Sequence, residues 1–253
     1  VFGNDVIGNE LMVDGIFEGE YIRDLFYLLK LLNIDVKNSS AIDIGAGIGN
    51  HSIKFSKYFS NVISFEPNPR TFDLLAANTK RLTNVKIYNW GCSSSNAVIR
   101  FHKCFNNIGS SSSILKIASN NESEIVVKPL DEIINDLNNV ALIKIDIEGM
   151  EYSYLIGAEK VISKFNPIIC LEQHEAEFNS KFNETASIDW LCAKGYRMFL
   201  LLQKKRRCFI PRHLNTLLRL FFGRINGRVI VEHEKLPKSD YAMIFEVHSR
   251  LFE

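Results

Sequence analysis

Short apolar, β-branched runs alternate with helical patterns along most of this chain, and that alternation leaves few folds open. Residues 40–44 read as a short buried strand and 61–65 and 85–88 as further strands, with helices over 50–59 and 70–81 between them. Ile22, Leu25, Phe26, Leu29 and Leu32 recur at helical spacing and predict an amphipathic helix over 20–32. The rhythm resumes with strands at 141–147, 167–171, 197–202 and 241–247 and helices at 152–164 and 186–194. Such units build parallel sheets through right-handed crossovers. The expected fold is α/β: one Rossmann-like, doubly wound domain over 1–253, with a mainly parallel seven-stranded sheet, helices on both faces and an antiparallel final strand. Within it, 1–38 is a helical lead-in and 203–238 a basic insertion between the last strands. Extra strands at 98–101 and 125–127 flank the polar loop 106–113, which reads as a solvated linker or as a cover that closes over a ligand.

With 46% hydrophobic and 23% charged residues, the 253 residues give ample core for such a domain. A net charge of +1 selects no partner. The five cysteines contain no C-x-x-C pair, which argues against a disulfide scaffold or a zinc site and fits a reducing compartment. No signal-peptide pattern opens the chain and no run of 18 apolar residues occurs, so a cytoplasmic location is expected. The chain opens at Val1 without a methionine, which leaves room for a longer protein.

Two strand ends carry the chemistry. The first runs Asp43-Ile44-Gly45-Ala46-Gly47-Ile48-Gly49 and opens a helix. Glycines there let backbone approach a ligand, and the helix start offers free N–H groups. A dinucleotide fingerprint would place glycine at position 50, where Asn50 stands, so the pattern is G-x-G-x-G behind an acid. That acid is unwelcome beside pyrophosphate but suits a cationic ligand portion, such as the amino-acid end of S-adenosylmethionine. Glu66 ends the next strand 21 residues after Gly45, where a carboxylate accepts both ribose hydroxyls. The second end runs Ile143-Lys144-Ile145-Asp146-Ile147-Glu148-Gly149-Met150-Glu151, a strand running into three carboxylates. Acid at the end of a buried strand is costly unless a cation, a donor or a ligand meets it. Lys144 shares a face with Asp146 and is a candidate partner. Glu148 and Glu151 equally suit the start of a helix.

These segments resemble the FkbM-type family of S-adenosylmethionine-dependent methyltransferases. The matching elements are Asp43 to Gly49, Phe65-Glu66-Pro67-Asn68-Pro69, Pro129-Leu130-Asp131-Glu132, Ile143 to Glu151 with Gly157-Ala158 behind it, and Pro167 to Glu172. The resemblance implies the class I methyltransferase fold, S-adenosyl-L-methionine as cofactor, and O-methylation of a small-molecule or glycan acceptor. It implies a cofactor shell of Asp43, Gly45, Ala46, Gly47, Glu66, Pro67, Asn68 and Asp146, with Cys92 or Ser93 near the adenine. Asn89 and Trp90 are alternatives there, and Trp90 equally suits the core. The glycine loop departs from the family's frequent Ala-Asn-Ile-Gly-Tyr, reading Ala46-Gly47-Ile48-Gly49-Asn50.

Methyl transfer requires an acceptor oxygen to be positioned and its proton removed. Asp146 and Glu172 end strands expected to be neighbours, and His174 lies two residues beyond Glu172. These three are the catalytic candidates, with His51 a weaker base. The same three suit magnesium, but a third convincing oxygen ligand is missing and no metal site is assigned. From Gln203 to Arg228 there are eight cations and no acid, with Leu214, Leu217, Leu218 and Phe221 at helical spacing. This stretch reads as a solvated basic helix, or as a docking surface for an anionic membrane or a lipid-linked glycan, which would place the protein at the inner face of the membrane. No Asp/Asn-Pro-Pro-aromatic motif follows Ile145, and the acid cluster repels phosphates, so nucleic acid is not the expected substrate. An RNA methyltransferase and a catalytically silent, methyltransferase-like binding module are the rival readings.

Overall fold

The computed structural model describes residues 19–102, 122–147, 150–172, 178–179, 184–204, 227–232 and 243–252. Five parallel strands form its centre: β1 (Ser40–Ile44), β2 (Asn61–Phe65), β3 (Val85–Tyr88), β7 (Val140–Ile145) and β8 (Ile168–Glu172). Beyond β8 lie β13 (Met243–His248), β11 (Tyr196–Lys204) and β12 (Gly227–Glu232). The eight-stranded order is β12-β11-β13-β8-β7-β1-β2-β3. β13 is antiparallel to both β8 and β11, so β11 runs with the parallel set. The architecture is the expected doubly wound, mainly parallel sheet of the class I methyltransferase fold.

Period-2 alternation divides the sheet between two cores. Ile42 and Ile44 of β1, Ile143 and Ile145 of β7, and Ile169 and Leu171 of β8 face one side. There they pack on α4 (Glu151–Gly157), α5 (Glu159–Phe165) and α6 (Ala186–Ala193), through Tyr154, Leu155, Val161, Ile162 and Leu191. Ala41, Val62, Leu142, Cys170 and Phe245 face the other side. They meet Leu25, Leu28 and Leu29 of α1 (Gly19–Leu31) and Phe55 of α2 (Asn50–Phe55). α3 (Pro69–Thr79) starts at Asn68, whose side chain accepts the Arg70 N–H, with proline at its first position.

Three features differ from the sequence expectation. The helix expected over 152–164 is two helices, α4 and α5, broken at Ala158 (φ −115°, ψ 10°). The Asp131 carboxylate accepts the Lys160 and Val161 N–H groups at 3.0 Å each and anchors the start of the second. Within the 203–238 stretch, 203–204 and 227–232 are strand, with Leu202 paired to Val229 and Gln203 to Arg228, so part of the expected insertion extends the sheet by an eighth strand. The extra strands β5 (Ala97–His102) and β6 (Glu122–Lys128) pair antiparallel, and with β4 (Gly91–Cys92) they make a separate three-stranded sheet. The loop 106–113 and the helical spacing at 214–221 lie outside the described residues. Among the described residues no helix is long and apolar enough to cross a membrane.

Candidate active site

The C-terminal ends of β1, β2 and β7 meet at one edge, the place where open parallel sheets bind ligands. After Ile44 the chain turns back through Gly45 and Ala46, whose N–H groups both donate to the Phe65 carbonyl at 3.0 Å. Gly45 has φ +73°, and a Cβ there would lie 1.9 Å from the Asp146 carbonyl oxygen. Only glycine lets the two strand ends come this close. Around Gly47 the space is open, with no heavy atom within 4 Å of where a Cβ would stand.

Glu66 follows β2 and is buried beside that loop. One carboxylate oxygen accepts the Gly47 N–H and the other the Asn68 N–H, each at 2.9 Å. Asn89 donates to the Glu66 carbonyl at 2.8 Å and holds the Glu66–Pro67 turn. Burial raises the Glu66 carboxyl from 4.5 to about 7, against the two backbone N–H groups and the Lys144 charge, which lower it.

Beneath the loop lies a buried charge network. β1 and β7 are in register at Asp43 and Lys144. The Lys144 ammonium is 3.0 Å from Asp146 Oδ2 and 3.7 Å from Asp43 Oδ1, and it reaches the Gly45 carbonyl at 3.4 Å. Asp43 is fully buried, and its other oxygen accepts the Ser52 hydroxyl at 2.6 Å. Ser64 in turn donates to Ser52 Oγ at 2.9 Å. Asp43 therefore supports the glycine loop from below, with its carboxylate engaged inside the protein, while the Asp146 side chain is about a third exposed (32%).

The adenine-side candidates sit apart from this network. Cys92 is buried in β4, and burial pushes its thiol well above the usual range. Ser93 is also buried, with its Oγ 3.0 Å from that of Ser153, and its carbonyl occupies the place a Cβ on Gly157 would fill. Trp90 packs on Phe65 at 4.5 Å and Tyr88 at 5.6 Å between ring centroids, an aromatic wall next to Glu66.

On the acceptor side, Ile145 pairs with Leu171, so Asp146 and Glu172 follow at the same level of adjacent strands. The Glu172 side chain, His174, Glu148 and Gly149 lie outside the described residues. Glu151 opens α4, as a helix-start acid would, and is buried there. His51, the weaker base candidate, is buried in α2 with its ring edge-on to Tyr21 of α1 at 5.7 Å. Among the described residues no three His, Cys, Asp or Glu side chains gather as metal ligands.

Residues 43–198 match the Methyltransferase FkbM domain. The chain belongs to the FkbM methyltransferase family. The hexuronic acid methyltransferase AglP of Haloferax volcanii is 30% identical over 138 residues, covering 50% of this chain and 53% of its own. The chain thus spans about half the length of that curated relative. Among solved structures, it is similar to an FkbM methyltransferase of Methylobacillus flagellatus (23% identity, TM-score 0.39, 54% of this chain and 33% of that one). It is also similar to an S-adenosylmethionine-dependent O-methyltransferase of Thermotoga maritima (12% identity, TM-score 0.48, 96% and 70%).

Proposed function

We propose that this chain transfers a methyl group from S-adenosylmethionine to a hydroxyl group of a sugar or glycan. One observation carries the cofactor assignment: the glycine turn at Gly45–Gly47 leaves open space beside a buried carboxylate, Glu66, whose two oxygens are both aimed by loop N–H groups. That is the equipment for a ribose with two neighbouring hydroxyls. S-adenosylmethionine, when bound, supplies an electrophilic methyl on a sulfonium. Gly45, Ala46 and Gly47 present backbone, Pro67 and Asn68 close the ribose side, and Cys92 and Ser93 bound the adenine side. Asp146, 3.0 Å from the Lys144 ammonium and partly exposed, offers its carboxylate to the amino-acid end.

Proton removal falls to the neighbouring strand end. We assign it to Glu172, which ends β8, and to His174, two residues on in the sequence, with His174 as base and Glu172 orienting it or holding the sugar. A base of this kind contributes about 10²–10⁴-fold. The relative that methylates hexuronic acid supports a saccharide acceptor. The eight cations of 203–228 support docking on an anionic membrane or a lipid-linked glycan, and salt-dependent co-sedimentation with anionic vesicles would test that.

The deciding assay is transfer of labelled methyl across hexuronic-acid saccharides, nucleotide sugars and glycolipids, with calorimetric titration of S-adenosylmethionine and S-adenosylhomocysteine beside it. Label on a sugar hydroxyl is the expected result. Absence of binding by both ligands would overturn the assignment. Binding without transfer to any hydroxyl would favour the silent binding module.

A further inference from the structure

We propose that Lys144 is a positioning residue that ties the Asp146 carboxylate to the glycine loop and holds it toward the cofactor's amino-acid end. The inference rests on the reading that this edge binds S-adenosylmethionine.

The geometry is specific. One ammonium, its side chain 2% exposed, lies within 3.7 Å of both carboxylates and within 3.4 Å of the Gly45 carbonyl. Its partners come from both halves of the site: Asp43 and Gly45 belong to the glycine loop, Asp146 to the acceptor-side strand. A buried lysine is costly and persists only where its donors are answered. Of the two carboxylates that Lys144 joins, Asp146 is the exposed member. The same field reaches Glu66, which Lys144 helps to ionise and Asp146 opposes. Across the face, burial pushes the Cys170 thiol of β8 up and the nearby Lys144 charge opposes it. Lys144 thus joins the glycine loop to the strand end that carries Asp146.

The test separates charge placement from scaffolding by using two probes. S-adenosylhomocysteine carries the amino-acid end; 5′-methylthioadenosine has the same adenosine and lacks it. Lys144→Met is expected to weaken S-adenosylhomocysteine about tenfold or more, the effect of losing one charge-assisted contact, and methylthioadenosine by less than about threefold. Because Lys144→Met leaves Asp43 buried without its cation, the pair Asp43→Asn with Lys144→Met is measured alongside and should show the same selectivity in a chain that folds. Equal loss for both probes, or no loss in a folded variant, would overturn the proposal. Asp146→Asn is the control for the site itself. If it loses S-adenosylhomocysteine selectively while the Lys144 variants do not, the role of Lys144 falls and the site stands. If the parent chain binds neither probe, the site reading falls and takes this inference with it.

Discussion

The two faces of the sheet treat buried acid in opposite ways. On the α1–α2 face, toward the strand ends, Asp43 is answered by Ser52 and Lys144, and just beyond it Glu66 is answered by two backbone N–H groups. On the α4–α6 face, β13 carries Glu246, fully buried, with neither oxygen hydrogen-bonded among the described residues. Its surroundings include the Tyr196 ring, whose hydroxyl burial and the Glu246 charge push upward. Burial raises Glu246 from 4.5 to about 8. Answered acids at a strand-end edge describe a site built to hold charge. An unanswered acid inside an apolar core describes a group kept neutral by its surroundings.

The steric interlock of the first region is its most sensitive point. Gly45→Ala sets a Cβ 1.9 Å from backbone at Asp146 and adds strain at φ +73°. The variant is expected to lose several kcal/mol of stability, about 3 or more, and to bind no S-adenosylhomocysteine. Denaturant titration and calorimetry check both. A variant of parental stability that binds normally would mean that the two strand ends are not interlocked.

The second region responds with the opposite sign. The folded-state carboxyl of Glu246 lies above its unfolded value, so its contribution is fully present below about pH 4.5 and is lost as pH rises through about 8. Glu246→Met, which fills similar volume without a titrating group, is expected to stabilise the chain by about 2–4 kcal/mol above pH 8 and by much less at pH 5. Unfolding midpoints measured across that range give the answer. A gain independent of pH would show that Glu246 is not titrating in the core.

Much of this division was legible before any coordinates. β1, β2 and β3 coincide with their expected limits: β1 and β2 are mostly buried apolar runs, β3 is a half-buried one, and turn residues bound them. The glycine loop and Glu66 were readable because their spacing follows from strand–helix–strand geometry. What stayed hidden depends on pairing between distant segments. Lys144 was legible as a partner of Asp146, two residues along its own strand. Its second partner, Asp43, emerges only from the register of β1 on β7. Likewise the break at Ala158 is set by Asp131 from a distant segment, and β12 is a strand because β11 offers it an edge. Glu246 left a signal that went unused: a single acid inside the apolar run Met243-Ile244-Phe245-Glu246-Val247.

A smaller effect sharpens the first region. Glu66 must be ionised to accept two ribose hydroxyls, and in the free protein it holds its proton up to about pH 7. Affinity for methylthioadenosine, which has no amino-acid end, is therefore expected to fall about tenfold per unit as pH drops below 7. Above 7 it should level off. Glu66→Gln should flatten the profile and keep the weaker affinity throughout. A parent profile flat from pH 5 to 8 would detach Glu66 from the ribose.

The smallest expected effects test the direction of the hydrogen-bond chain beneath Asp43. Ser64 donates to Ser52, and Ser52 donates to Asp43, all three buried. Ser52→Ala leaves one Asp43 oxygen unanswered in a water-free place and should cost about 1–3 kcal/mol, the desolvation of an unpaired acceptor. Ser64→Ala removes only a neutral donor from a hydroxyl that keeps its own bond to the carboxylate, and should cost about 0.5–1.5 kcal/mol. If Asp43 is the charge that this chain serves, the first loss exceeds the second, and in an Asp43→Asn background the difference shrinks, because the acceptor is then neutral. Equal losses in both backgrounds would mean that the serines merely fill space, and the contrast with Glu246 would then rest on Lys144 alone.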